Sequence, residues 1–285
     1  MGNWDMKLKE YIRKKFIKIE IEKVIIPCME GNILNGRTAL ITGASSGIGY
    51  SIANSFVKNG AKVILCGRNV EKLKKAKLNL ILENKCEDSY IDILEIDLNS
   101  IEEMKKNLQL IFENTIIDIF VNNAGINGGK LFPNTSENEY ERILSTNLKG
   151  TYFISQEIVK YMVKNNIQGN ILNITSSSSL RPGISPYILS KWGERSLTLG
   201  MAKKYLPYGI IVNGLAPGTT LTSMTSKNEN NNLFCEYSPS KRYAAPEEIG
   251  NLATILVSSM GKMIVGDTIY ATGGAGLITY DDTTY

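Results

Sequence analysis

The chain contains no histidine. That removes every Ser-His-Asp and Cys-His nucleophile, every HExxH metal site and any histidine general base. Proton transfer near neutral pH must then fall to Asp, Glu, Cys, Lys or Tyr. Tyr187 and Lys191 are the best-placed pair. Four residues apart in a helical pattern, they share one face, one turn apart. A free tyrosine, with a pKa of about 10, exchanges protons too slowly at neutral pH. A neighbouring ammonium favours the phenolate, and each unit of downward shift is worth about 1.36 kcal/mol. The bland alternative is a surface tyrosine and lysine that happen to share a helix.

A second group could hold an anion. Thr42-Gly43-Ala44-Ser45-Ser46-Gly47-Ile48-Gly49 follows a β-rich run and opens an amphipathic one. Glycines there let the backbone turn tightly and approach a pyrophosphate, whose charge then sits at a helix N-terminus. Glycines also mark plain turns, but strand, glycine turn and helix occur here in the order such a site requires.

The elements that would position these groups are legible in the hydrophobic pattern. Residues 38–42, 62–67, 90–97, 117–122, 170–176, 210–215 and 267–271 are short runs rich in Ile, Val and Leu with little alternation, as in strands buried on both faces. Helical patterns fall between them at 47–58, 70–84, 100–113, 137–165, 185–205 and 246–259. The rhythm predicts a single α/β domain, a doubly wound parallel sheet of about seven strands with helices on both faces.

Residues 1–34 stand outside that rhythm as an N-terminal amphipathic extension, leaving 35–285 as the domain. Leu8, Tyr11, Ile12, Phe16 and Ile19 recur at helical spacing beside Lys7, Lys14 and Lys18. Such a helix docks on the domain, on a partner or on a membrane surface, and the alternation in 17–26 leaves a strand open too. Residues 219–245, asparagine-rich at their centre, read as a lid, with Met224, Leu233, Phe234 and Tyr237 either closing over a ligand or packing permanently.

Composition excludes several classes. Among 285 residues, 43% are hydrophobic and 21% charged, which is ordinary for a globular chain. No stretch reaches the ~20 apolar residues of a membrane span, and the charged N-terminus does not read as a secretory signal. The four cysteines show no Cys-x-x-Cys spacing, so neither a zinc site nor a disulfide framework is expected and a cytoplasmic location is the simplest. A dispersed net charge of +4 leaves no footprint for nucleic acid.

The motifs resemble those of the short-chain dehydrogenases/reductases, in the single-domain branch of the 3-oxoacyl-carrier-protein reductase type. Thr-Gly-x-x-x-Gly-x-Gly at 42–49 is followed by Asn122-Asn123-Ala124-Gly125, by Asn147 in Ser-Thr-Asn-Leu-Lys-Gly, and by Ser176. Tyr187-x-x-x-Lys191 and Pro217-Gly218 complete the family's order, over about residues 35–280. The resemblance implies a Rossmann-type domain in which Tyr187 protonates a carbonyl oxygen as hydride arrives from a nicotinamide. It implies that Ser176 hydrogen-bonds that oxygen, that Lys191 binds the nicotinamide ribose and lowers the tyrosine pKa, and that Asn147 holds a relay water. Ser177 stays open as the alternative serine, because the segment between this cluster and Tyr187 is shorter than the family's usual length.

The same resemblance implies a dinucleotide held by Thr42, Gly43, Ser45, Ser46, Gly47, Ile48 and Gly49. Asp97 on the adenine, Leu98, Asn123, Ala124, Gly125, Tyr187, Lys191, Pro217, Gly218 and Thr219 would complete its site. NAD enzymes place a carboxylate at the end of the second strand, whereas this chain has Gly67-Arg68-Asn69. Arg68 there pairs with a 2′-phosphate or lies in solvent. NADP is expected over NAD. The expected activity interconverts a ketone and a secondary alcohol in a homodimer or homotetramer. A keto-sugar reductase of surface-polysaccharide synthesis and a non-catalytic dinucleotide sensor are the alternatives. Arg181 either meets an anionic substrate or is solvated.

Overall fold

The protein is described by a computed structural model covering residues 31–128, 130, 132–222 and 232–278. The amphipathic run before residue 31 and Met224 lie outside the described residues. Seven strands form one parallel sheet: β1 (Thr38–Thr42), β2 (Lys62–Gly67), β3 (Ile91–Glu95), β4 (Ile119–Asn122), β5 (Asn170–Ile174), β6 (Ile211–Pro217) and β7 (Thr268–Ala271). Their order is β3-β2-β1-β4-β5-β6-β7, which reverses direction between β1 and β4. Ligands of open α/β sheets bind outside the carboxyl ends of the strands at such a reversal.

Consecutive strand residues face opposite sides of the sheet, and each side is covered by helices. Ile41, Leu65, Val121 and Leu172 pack with Ile52 and Phe56 of α1 (Gly47–Lys58) and Leu73 of α2 (Val70–Asn84). Their neighbours Leu40, Ile64, Phe120 and Ile171 pack with Met104 and Leu108 of α3 (Ile101–Phe112). The lack of alternation in the strand sequences follows from this two-sided burial. At the opposite edge of the strands the Arg37 guanidinium donates to Val257 O at 2.6 Å, Asp118 O at 3.0 Å and Asn170 Oδ1 at 2.9 Å.

Two elements differ from expectation. The continuous helix expected over 137–165 is three pieces: α4 (Glu137–Leu144), a π-helical turn over Ser145–Gly150, and α5 (Thr151–Lys164). The turn crosses Leu98 so closely that a Cβ on Gly150 would lie 2.6 Å from the Leu98 Cβ, and it carries Asn147. π-turns of this kind mark functional sites more often than chance. Secondly, Leu34, assigned above to the extension, is fully buried in the core, so the domain's packing begins before residue 35. Two further helices, α6 (Pro186–Tyr205) and α7 (Pro246–Val257), complete the layers. Among the described residues no helix is long and apolar enough to cross a membrane.

Candidate active site

The turn from β1 into α1 is locked to the loop after β4. Gly43 has φ +65°, and a Cβ there would sit 2.9 Å from the Ala124 Cα. A Cβ on Gly49 would collide with the Asn123 side-chain amide. The Thr42 hydroxyl accepts the backbone N–H of Asn123 and of Ala124, each at 3.0 Å, and donates to Val121 O at 3.3 Å. Asn123 Nδ2 returns bonds to Thr42 O at 2.9 Å and Gly43 O at 3.2 Å. Ser46, the residue before α1, makes no side-chain capping bond, and the first turn carries no acidic residue. The first amides of α1 are therefore left for an anion.

That turn forms one wall of a cleft of about 400 Å³. Arg68, Asn69 and Lys72 line it beyond β2, and Asp97 and Leu98 line it beyond β3. Asn69 also caps α2, its Oδ1 accepting Lys72 N at 2.9 Å. Arg68 and Lys72 are both exposed, so two cations with free heads stand where β2 ends without a carboxylate. Asp97 Oδ1 accepts the backbone and side-chain N–H of Asn99, at 3.0 and 3.1 Å.

On the far wall, α6 starts sharply because Ser185 caps it through Ile188 N at 3.2 Å and Pro186 occupies its first turn. This presents Tyr187, half-buried, and Lys191, buried, to the cleft. Lys191 Nζ lies 5.8 Å from the Tyr187 ring centroid. Its three N–H groups go to Ile174 O at 3.2 Å and to both carboxylate oxygens of Glu194, at 2.9 and 2.8 Å. Burial alone would lower the Lys191 pKa, but the Glu194 carboxylate, helped by Tyr187, leaves it above the ordinary lysine value.

Asn147 is buried behind this wall. Its Oδ1 accepts Ile126 N at 2.8 Å, while Nδ2 donates to Ile126 O at 2.9 Å and Ser190 Oγ at 3.1 Å. A Cβ on Gly125 would lie 3.4 Å from Asn147 Oδ1 and 3.7 Å from Lys191 Nζ, which places these three residues together. Ser176 Oγ accepts Ser178 N at 3.1 Å and so caps a short 3-10 turn over Ser177–Leu180. Its own hydroxyl proton has no acceptor among the described residues.

Most residues expected at the cofactor line the cleft. Gly49, Pro217, Gly218 and Thr219 do not, nor do Asn147 and Ser176; Thr175 and Thr222 do. Lys72 and Glu194 were not singled out from the sequence. Both signals were present, since Lys72 is one turn beyond Arg68 and Glu194 follows Lys191 at i+3. The solvated reading of Arg181 is corrected. Arg181 is 3% exposed, its Nε lies 3.1 Å from where a Gly276 Cβ would be, and its carbonyl accepts Trp192 Nε1 at 2.9 Å.

After β6, Thr220 and Ala244 bridge in parallel, and Phe234 pairs antiparallel with Arg242. Arg242 is joined to Glu248 of α7 by two bonds of 2.7 Å. Leu233 and Phe234 are half-buried, whereas Tyr237 is 67% exposed.

A doubly wound parallel sheet with a glycine turn at its reversal point, facing a Tyr-x-x-x-Lys helix, defines a dinucleotide-binding α/β domain of oxidoreductase type. The sequence matches the short chain dehydrogenase family over residues 37–233, and the chain belongs to that family. It is 36% identical over 245 residues to a 3-oxoacyl-[acyl-carrier-protein] reductase of Rickettsia bellii, covering 85% of this chain and 97% of that one. It is 32% identical over 250 residues to a gluconate 5-dehydrogenase of Gluconobacter oxydans, covering 85% of this chain and 95% of the relative. A crystal structure of a gluconate 5-dehydrogenase from Burkholderia cenocepacia, in complex with NADP and tartrate, superposes with a TM-score of 0.77. Its sequence is 29% identical, and the match covers 85% of this chain and 96% of that one.

Proposed function

We propose that this protein is an NADP-dependent oxidoreductase that interconverts a small ketone and a secondary alcohol, with Tyr187 as the acid and base. The observation that carries the reading is that Tyr187, Lys191 and Gly125 line the same cleft as the glycine turn, with Asn147 buried directly behind Gly125. The cofactor fits what is present. The uncapped start of α1 suits a pyrophosphate, Asp97 faces the end where an adenine would lie, and Arg68 with Lys72 suits a 2′-phosphate.

The nicotinamide supplies or accepts hydride when bound. Tyr187 gives its phenolic proton to the developing alkoxide oxygen, and Ser176 donates its free hydroxyl proton to the same oxygen. Lys191 stabilises the phenolate left behind. Asn147, with its side chain committed to Ile126 and Ser190, fixes the loop carrying Gly125 and Ile126 against α6. A relay water at this position could still donate to the second lone pair of Asn147 Oδ1, since both Nδ2 protons are taken. The NADP complex of the Burkholderia relative supports the choice of phosphate-bearing cofactor.

The test is a side-by-side titration of NADPH and NADH with a panel of ketones that includes keto acids, keto sugars and a β-ketoacyl thioester. Turnover is expected with NADPH, and Arg68→Ala should weaken NADPH by about 1–3 kcal/mol while leaving NADH nearly unchanged. A wild-type preference for NADH refutes the cofactor assignment, and NADPH turnover with none of the panel refutes the reaction class.

The same reading includes assembly and location. Tyr140 of α4, Tyr152 of α5, and Leu189, Trp192 and Leu199 of α6 are exposed. They support a twofold homodimer or homotetramer through these helices. A monomeric mass by light scattering at micromolar concentration removes that assembly. Free thiols at Cys66, Cys86 and Cys235 support a reducing, cytoplasmic location.

A further inference from the structure

Lys191 and Glu194 are opposite charges buried together, with side chains 5% and 4% exposed. Glu194 belongs to no motif and does not line the cleft, yet it takes two of the three lysine N–H bonds. Burying two ions costs several kcal/mol each, and their attraction offsets this only when the bonding is good. An apolar residue at 194 would avoid the cost of the carboxylate. It would also leave Lys191 with a single carbonyl dipole, that of Ile174, and an unpartnered buried ammonium sheds its proton.

We propose that Glu194 is a positioning residue, a fixed internal counter-charge that keeps Lys191 protonated and held on the Tyr187 side of the cleft. The proposal rests on the role given to Lys191 above. Two features of the bonding fit it. Both carboxylate oxygens bind the same ammonium, so the pair holds orientation as well as charge. The third N–H, given to Ile174 O at 3.2 Å, is the longest of the three bonds. A hydroxyl entering the cleft can take that N–H while both Glu194 bonds remain. The lysine can thus change its neutral partner without changing its ionic one.

The surroundings leave Glu194 alone in this role. β5, β6 and the 3-10 turn after β5 bring no ionisable side chain to the pair. α4 carries Glu137, Glu139, Tyr140, Glu141 and Arg142, the π-turn carries Lys149, and α5 carries Tyr152, Glu157, Lys160, Tyr161 and Lys164. On α6 itself Tyr187, Arg195, Lys203, Lys204 and Tyr205 are the other ionisable groups, and Arg195 lies over the Trp192 and Tyr270 rings. Of all these, only Tyr187 acts electrostatically on Lys191; burial raises the Glu194 carboxyl, and Lys191 alone opposes that rise and favours its charged form. Glu194 is thus the one carboxylate bonded to the ammonium among the described residues.

The experiment is an NMR titration of the intact protein labelled with ¹³C at lysine Cε, with Lys191→Arg used to assign the resonance. In the wild type the Lys191 signal should titrate above the ordinary lysine value. Glu194→Gln keeps the shape and removes the charge, and should lower that midpoint by about one to two pH units. Glu194→Asp, with a longer contact, should fall between them. A Gln variant titrating with the wild type overturns the proposal. If Gln does not fold, Asp decides alone: a lowered midpoint supports the counter-charge, and an unmoved one overturns it.

A functional readout should follow the same titration. NADPH affinity of Glu194→Gln should decline as pH rises through the lowered lysine midpoint, over a range where the wild type stays flat. Failure here is distinguishable from failure of the catalytic reading. If the midpoint falls but Lys191→Met turns over normally, Glu194 is still the counter-charge and the role of Lys191 is wrong. If the midpoint does not move, Glu194 loses its role whatever the turnover.

Discussion

The cofactor-side wall and the segment after β6 are both loops at the carboxyl edge of one sheet, yet they are held in different currencies. The first is held by side chains. Thr42 and Asn123, 81 residues apart, exchange bonds through a hydroxyl and an amide, which few residue types can supply at those positions. The second is held by backbone. Leu221 N bonds Ala244 O at 2.9 Å, Cys235 N bonds Lys241 O at 3.0 Å and Tyr243 N bonds Leu233 O at 2.7 Å. Any residue but proline can supply such a donor. A wall built from side chains imposes residue identity and becomes a motif; a wall built from amides leaves identity free for substrate choice. This is why a choice of cofactor could be proposed from Gly67-Arg68, while no substrate could be.

The largest effect that sharpens this contrast comes from Tyr187, the residue on which both halves converge. Tyr187→Phe keeps the ring and removes the proton donor, so NADPH affinity should be nearly unchanged while turnover falls by at least ~10²-fold. The pairing of those two results matters, because the cofactor wall should survive the loss of the reaction. Turnover within a few-fold of wild type would take Tyr187 out of its role, and a matching loss of NADPH binding would mean that the two halves are not separable.

Legibility of the fold follows the same division. β1, β2, α1 and α2 were delimited by sequence to the residue, because their apolar periodicity is bounded by glycine or asparagine at each change of direction. The π-turn was invisible, since residues 137–165 keep a continuous helical pattern. What breaks that helix is a tertiary demand, the approach of Gly150 to Leu98 and the anchoring of Asn147 on Ile126. Arg181 misled for a similar reason: a charged residue beside Pro182 and Gly183 reads as a surface turn. Gly276, 95 residues on, comes against its guanidinium, and no local pattern reports that approach. Glu194 was within reach, one turn beyond Lys191, but a carboxylate at i+3 on a helix reads as a surface ion pair until burial is known.

The smallest expected effect tests whether the backbone-held segment is independent of the cofactor wall. Arg242 and Glu248 form an ionic tie from this segment to α7, and Glu248 Oε2 also accepts Ala245 N at 2.8 Å. The hydrogen bond from Arg242 holds the Glu248 carboxyl below its ordinary pKa, with Ala245 adding to it against partial burial. A depressed carboxyl stabilises the fold above its unfolded pKa of about 4.3 and loses that contribution as pH falls through the lower folded value. Glu248→Gln should therefore cost stability at pH 7, by the roughly 0.2–1 kcal/mol of a partly exposed pair, and less in acid, as pH falls from about 4 through the lowered folded value. Thermal melts of both proteins at pH 7 and in acid read it directly. Hydrogen exchange on the same samples should show faster exchange at the amides of Cys235, Lys241 and Tyr243, with those of Asn123 and Ala124 unchanged. Equal loosening at Asn123 would mean that the two walls unfold as one unit, and a segment free to close over substrate by itself would have to be given up.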